Sequence, residues 1–221
     1  MERTERMNVV FDFGAVLFTW RPVDLVAECF PERASTPALA GHLAHEVFGH
    51  ADWQAFDRGT ATMAEVIDRT VVRLGLDRKA LTTLVEGIGG RLVPMPDSIA
   101  LLHRLKALRT AQQAEGQADA LKLYFLSNMP VPYARTLEQS HVFLKEFDGG
   151  IFSGDVLLIK PEPAIYQLLQ NRYALEPTKT VFIDDLLGNI EAARTQDWHG
   201  VHFKNAGQVS QALQALGIDC G

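Results

Sequence analysis

Cysteine is almost absent from the 221-residue chain: Cys29 and Cys220 stand far apart and belong to no CxxC pair. That excludes a disulfide framework and a cysteine-built zinc site. No apolar run approaches the roughly 20 residues that span a bilayer, so no membrane partner is expected. The start, Met1-Glu2-Arg3-Thr4-Glu5-Arg6, is charged and is followed by no apolar signal core. Basic clusters are missing too: 21 Lys and Arg residues face 27 Asp and Glu, for a net charge of −6. Nucleic-acid binding rests on neutralising phosphates with Lys and Arg, so nucleic acid is not expected as a partner. These absences point to a cytoplasmic protein and leave open whether it is a monomer or a homodimer. What is present, 47% hydrophobic and 22% charged residues, is the composition of a globular fold. The length suits one large domain or a domain with a smaller insert.

The stretch Val9-Val10-Phe11-Asp12-Phe13-Gly14-Ala15-Val16-Leu17 organises the rest. A short apolar run bounded by a turn signal reads as a buried strand. Asp12 then sits at its carboxyl end, the edge where open parallel sheets bind ligands. From about Pro22 to Gly90 the patterns are helical. Val23, Val26, Ala27 and Phe30 share a face behind Pro22, and Leu39, Leu43 and Val47 suit a helix over 37–48. Thr62 and Glu65 form a capping box for a helix carrying Val66, Ile67, Thr70, Val71 and Leu74, closed by Gly75. Asp77 caps another with Leu81, Leu84, Val85 and Ile88, before Gly87, Gly89 and Gly90 loosen the chain. Further on, Asp97 caps a helix bearing Ile99, Leu102, Leu105 and Leu108, and the polar stretch 110–120 reads as an exposed loop with room for helical extension. Strands over 121–126, 151–152, 180–183 and 201–203 alternate with helices carrying Ile165, Leu168 and Leu169, then Ile190 to Arg194, then Val209, Leu213 and Leu216. That alternation predicts an α/β fold with a doubly wound parallel sheet. The core takes residues 1–19 and 91–221, and a small helical insert takes 20–90.

Three of these strands end in a polar or acidic group: Asp12, Ser127 and Asp184-Asp185. Parallel strands put all three at one edge, and Lys160 follows another strand on the same side. Unpaired carboxylates this close repel and call for a cation. Mg²⁺ fits, as a hard ion that takes oxygen ligands and is completed by phosphate and water. A lysine there suits a phosphate as a point charge. Carboxylate nucleophile, metal and lysine together describe phosphoryl transfer through an aspartyl-phosphate. His42, His45 and His50 match no zinc spacing. Trp20, Trp53 and Phe56 suit either core packing or the substrate side of the insert.

The segments Phe11-Asp12-Phe13-Gly14, Leu126-Ser127-Asn128, Lys160-Pro161-Glu162-Pro163-Ala164-Ile165-Tyr166 and Phe182-Ile183-Asp184-Asp185 resemble, in this order, the four motifs of the haloacid dehalogenase-like hydrolases. The insert resembles the cap of the subgroup whose cap follows the first motif, and Phe56-Asp57-Arg58-Gly59-Thr60 resembles one of its cap turns. The resemblance implies a Rossmann-like core with Asp12 as nucleophile. Ser127 and the Asn128 backbone N–H would bind the phosphoryl group, and Lys160 would neutralise charge. Asp12, the Gly14 carbonyl, Asp185 and, nearby or through water, Asp184 would hold Mg²⁺. Arg58 would either face the substrate or close the cap turn. The implied activity is a Mg²⁺-dependent phosphatase of a small phosphorylated metabolite, a sugar phosphate among the candidates.

Gly14 departs from the family pattern, where most phosphatases carry an Asp as general acid and base. Members resembling glucose-1-phosphate phosphatases share the glycine. General acid–base help is typically worth about 10²–10⁴ in rate. Its loss points to a substrate with a good leaving group, or to protonation by water or a cap residue. Two other readings stay open: a 2-haloacid dehalogenase using Asp12 on carbon without metal, and a binding or regulatory protein on a catalytically weak scaffold. The acid pair Asp184-Asp185 and the lack of an assignable halide-binding arginine speak against the dehalogenase.

Overall fold

Strand β1 (Asn8–Phe11) is buried at every position. Its side chains alternate between two hydrophobic clusters, one on each sheet face. Val9 and Phe11 enter one with Leu123, Val181 and Ile183, and Val10 enters the other with Tyr124, Leu126 and Phe182. A strand covered on both faces reads as a continuous apolar run, because neither side has to be polar. The computed structural model describes residues 7–117 and 120–219. The charged start Met1 to Arg6 and Cys220 lie outside them.

After β1 come α1 (Pro22–Cys29), α2 (Pro37–Phe48), α3 (Ala51–Arg58), α4 (Met63–Leu74) and α5 (Arg78–Arg91). Then follow α6 (Pro96–Ala114), β2 (Lys122–Ser127), α7 (Val131–Ser140), β3 (Gly149–Phe152), the single turn α8 (Ser153–Val156), α9 (Pro163–Tyr173), β4 (Thr180–Asp184), α10 (Leu187–Arg194), β5 (His199–His202) and α11 (Ala206–Ala215). The five strands pair in parallel in the order β3-β2-β1-β4-β5. Phe11 lies level with Phe125 of β2 and Ile183 of β4, so the residues that follow each strand emerge at one edge. Helices cover both faces, which makes the sheet doubly wound.

The helical stretch after β1 contains no strand among its residues, as its periodicity implies. The capping box of α4 is formed by Thr62 and Glu65, and Gly75 ends that helix in the left-handed conformation. Asp77 caps α5 by accepting the Ala80 N–H. Several expectations need correction. Helix α5 does not loosen at its glycines but continues to Arg91. Gly89 lies against α7, where a Cβ would come 3.2 Å from Thr136 Oγ1. This close approach of two helices outweighs the roughly 1 kcal/mol that glycine costs in a helix. Asp97 does not cap α6. Pro96 opens the helix one residue earlier, and the Met95 N–H is already taken by the Leu17 carbonyl at 2.8 Å. The Ala- and Gln-rich start of the 110–120 stretch joins α6 as far as Ala114, and Gln112 reaches over to accept the Leu121 N–H at 2.8 Å. Val23 and Leu39 face solvent rather than sharing the buried face of their helices.

Candidate active site

In this strand order the chain leaves β1 toward β2 and β3, then returns to β1's other side for β4. The crevice at the carboxyl ends of β1 and β4 is therefore the topological switch point, where open α/β sheets place their ligands. Asp12 comes off the end of β1 with its backbone N–H on the Ile183 carbonyl at 2.9 Å. Its carboxylate accepts the Phe13 N–H at 2.7 Å and meets Lys160 Nζ at 2.8 Å. Asp184 ends β4, fully buried. It accepts the Leu186 N–H at 2.8 Å, Asn189 Nδ2 at 2.9 and 3.0 Å, and Lys160 Nζ at 2.6 Å.

Lys160 is the counter-charge between these two acids, and it is itself buried. Its backbone is pinned by the Asn128 side chain, which accepts the Lys160 N–H at 2.8 Å and donates to the Lys160 carbonyl at 3.0 Å. Asn128 thus ties the end of β2 to the loop carrying Lys160, a positioning contact beyond the backbone role the motif implies. Burial works against the lysine's charge, but Asp12 and Asp184 more than offset it and raise its pKa. The carboxylates show the reverse balance. Burial and the charges of Asp184 and Asp185 hold Asp12 up at about 7 against the pull of Lys160. Burial and Asp184 hold Asp185 at about 6. Oxygens of Asp12, Asp184 and Asp185 lie within 4.8 Å of one another. Three clustered carboxylates, hard oxygen donors beside a single ammonium, form a donor set that a divalent cation fits. Among the described residues this is the cluster that could hold a metal, and no histidine belongs to it.

A cavity of about 230 Å³ opens over this edge. Its floor is polar, with Asp12, Gly14, Ser127, Asn128, Lys160 and Asp185. Its opposite wall is apolar: Trp20, Phe48 and Trp53 from the helical stretch, Ile88 and Leu92 at the end of α5, and Met129 and Tyr133 around the start of α7. Trp20, Phe48, Trp53, Phe56 and Tyr133 form a chain of edge-to-face ring contacts with centroids 4.7–5.6 Å apart. Trp20 and Trp53 thus pack and line the cavity at once, whereas Phe56 only packs. Aromatic pairs of this kind are worth about 0.5–1.5 kcal/mol beyond the area they bury, so the wall is a fixed surface.

Of the residues singled out from the sequence, Asp12, Gly14, Ser127, Asn128, Lys160 and Asp185 come together around the cavity, with Asp184 directly beneath. Arg58 does not. It turns away to form a two-pronged pair with Glu162, one prong at 2.8 Å, and reaches the Leu157 carbonyl at 3.5 Å. It fastens α3 to the segment before α9 and does not line the cavity. The residue that sequence reasoning passed over is its neighbour Asp57, which does line the cavity. Ser153 was passed over as well. Its hydroxyl donates to the Asp57 carbonyl at 2.5 Å and accepts the Met129 N–H at 2.8 Å, joining α3 to the loop after β2.

Residues 8–196 match the haloacid dehalogenase-like hydrolase family. Among curated proteins the chain is similar to the sesquiterpene phosphatase astK of Aspergillus oryzae, 26% identical over 207 residues that cover 94% of each chain. Among solved structures it is similar to the HAD family enzyme bt-2542 of Bacteroides thetaiotaomicron (TM-score 0.68, 19% identity, covering 95% of this chain and 99% of that one). A complex of that enzyme with magnesium and inorganic phosphate superposes with a TM-score of 0.65 at 18% identity, covering 90% and 95%. The L-2-haloacid dehalogenase of Xanthobacter autotrophicus gives a TM-score of 0.62 at 21% identity, covering 88% and 76%. At these identities the structures speak for the fold.

Proposed function

The chain belongs to the haloacid dehalogenase-like hydrolase family, and on that premise we propose that it is a Mg²⁺-dependent phosphatase of a small phosphomonoester, acting through an aspartyl-phosphate. The observation that carries the reading is the meeting of Asp12, Lys160 and Asp185 on the floor of one cavity at the sheet's switch point. Asp12 attacks phosphorus, the ester oxygen leaves, and water then releases phosphate from Asp12. Lys160 neutralises charge on the nucleophile and on the incoming phosphate. Ser127 and the Asn128 backbone N–H hydrogen-bond the phosphoryl oxygens. Asp12, Asp185 and the Gly14 carbonyl would hold the metal, which supplies Lewis-acid stabilisation of the phosphoryl charge. Asp184, whose oxygens are already engaged by Lys160, Asn189 and Leu186, acts by orienting Lys160 or through a bound water. The Bacteroides relative's magnesium and phosphate complex supports this assignment.

Residues 20–90 act as a cap on a core formed by 1–19 and 91–221, and supply specificity by shaping the space above the phosphate. The aromatic and aliphatic wall of that space favours an apolar organic group over the sugar considered from the sequence. The name of the Aspergillus oryzae relative, a sesquiterpene phosphatase, supports the same preference. No arginine among the described residues lines the cavity to hold a halide, which favours phosphate ester over haloacid. The test is a phosphate-release panel of apolar and sugar phosphates, run with and without Mg²⁺, with Asp12→Asn as control. Mg²⁺-dependent release from apolar esters, lost in the variant, is expected. Turnover that survives in Asp12→Asn or ignores a chelator would overturn the reading.

A further inference from the structure

Gly14 removes the side chain that gives and takes the leaving-group proton in related phosphatases, and the backbone does not demand that glycine. A Cβ there would meet only the Trp20 Cβ, at an ordinary 3.8 Å. The proton must come from elsewhere in the cavity. Asp12 and Asp185 belong to the nucleophile and the cation, and Lys160 is pinned between two carboxylates. The Tyr133 hydroxyl is committed to the Val85 carbonyl at 2.7 Å. Asp57 is left. It lines the cavity, and among the described residues no donor is bonded to its carboxyl. Lys160 and Asp12 are close enough that both charges act on it.

Its position is set from three directions. The Asp57 carbonyl is held by Ser153, Arg58 next to it is held by Glu162 and Leu157, and Gly59 is pressed onto the backbone of Gly154. The last residues of α3 are thus fastened to the segment 153–162, which leads to Lys160. With its backbone fixed in this way, Asp57 lines the same cavity as Asp12 and enters it from the helical stretch, within reach of an ester bound over the nucleophile.

We propose that Asp57 is the general acid and base of the reaction, supplied by the helical insert in place of the side chain missing at Gly14. The assignment rests on the phosphatase reading. As an Asp12 oxygen bonds to phosphorus and the P–O ester bond breaks, the Asp57 carboxyl passes its proton to the departing oxygen. The products are an alcohol, the aspartyl-phosphate and an Asp57 carboxylate. That carboxylate then takes a proton from the water that attacks the aspartyl-phosphate. Inorganic phosphate leaves, the Asp12 carboxylate returns and Asp57 is reprotonated. Burial raises the Asp57 pKa to about 8, with Asp12 repulsion adding and Lys160 opposing, so the proton is in place at neutral pH. The other charged groups around α3 face elsewhere: Arg69 and Arg73 gather at Asp52, with Glu46 beside them, and Asp155 is bound to Arg135.

The experiment compares an aryl phosphate, whose leaving group needs no proton, with an alkyl phosphate of similar size, both with Mg²⁺. In Asp57→Asn, kcat/KM on the alkyl ester, which reports the step that expels the alcohol, is expected to fall by about 10²–10⁴, while kcat/KM on the aryl ester falls less than about tenfold. Asp57→Glu is expected to restore part of the alkyl rate. The alkyl pH–rate profile of the wild type is expected to decline above about pH 8, a limb absent in Asp57→Asn. The ratio of the two rates does not depend on how much of the variant is folded. Equal loss of kcat/KM on both esters, or an unchanged alkyl kcat/KM, would overturn the assignment alone. A wild-type protein that releases phosphate from neither ester would overturn the phosphatase reading with it.

Discussion

Lys160 is the residue on which the charge balance of the site turns. It is buried between Asp12 at 2.8 Å and Asp184 at 2.6 Å. Removing one member of a buried ionic group leaves the others uncompensated, at a cost of about 3–5 kcal/mol. Lys160→Met is expected to lose that much in urea unfolding without metal, and to recover part of it on adding Mg²⁺, because the cation takes over the neutralising role. Destabilisation that Mg²⁺ does not relieve would contradict the placement of the cation. Asp57 gives a pH signature. Its pKa rises from an ordinary 3.8 to about 8 on folding, so between those values the folded state binds more protons than the unfolded one. Stability from this group therefore falls as pH rises through that window. The stability of wild type minus that of Asp57→Asn, followed by chemical denaturation, is expected to decrease steadily from about pH 4 to about pH 8. A flat difference would show that the carboxyl is not held protonated. Asp12, Ser127, Lys160 and Asp185 were legible in the sequence because each stands at the end of a strand or just before a helix, at an edge that topology alone defines. Asp57 was not, since its chemistry comes from which distant residues close around it.

At the scale of elements, α3 decides the geometry of the cap side. It is a short helix that buries only Trp53 and Phe56 among polar neighbours, capped by His50 accepting the Asp52 N–H, and its sequence shows only the closing turn. The central strands β1 and β4 were legible because burial on both faces leaves a nearly unbroken apolar run. The glycine-rich end of α5 was not, because only the packing against α7 explains it. Gly59 closes α3 at φ +83°, and a Cβ there would come 2.5 Å from the Gly154 carbonyl oxygen. Gly59→Ala is expected to destabilise the protein by about 1–3 kcal/mol and to lower kcat/KM more on alkyl than on aryl phosphates, because Asp57 moves with it. Thermal unfolding and the two-ester comparison check both halves. The Arg58–Glu162 pair is partly solvent-exposed, so a double-mutant cycle with Arg58→Ala and Glu162→Ala is expected to give a coupling below about 1 kcal/mol. A much larger coupling would mean that this pair, and not the Gly59–Gly154 contact, holds α3 in place.

Across the whole molecule, one hydrophobic cluster runs from the sheet into the helical stretch. Val9, Phe11 and Ile183 belong to it together with Val26, Val47, Trp53, Phe56 and Leu84. The proposed division into core and cap is therefore not a division of the hydrophobic interior. Urea unfolding followed at Trp20 and Trp53 in the helical stretch, and at Trp198 behind the sheet, is expected to give coincident midpoints. Tryptophan variants that leave one reporter at a time separate the signals, and a helical stretch that melts first would show the cluster to be weaker than its continuity implies. The alternation of strand and helix made the doubly wound sheet legible; how the helical stretch sits over it depends on ring-to-ring contacts that no local pattern encodes. The most direct measurement of the central claim is peptide mass mapping of the protein acid-quenched during Mg²⁺-supported turnover of an alkyl phosphate. A single phosphoryl group is expected on the peptide containing Asp12, absent in Asp12→Asn. Steady phosphate release with that peptide unmodified, or with the phosphoryl group on another residue, would contradict it.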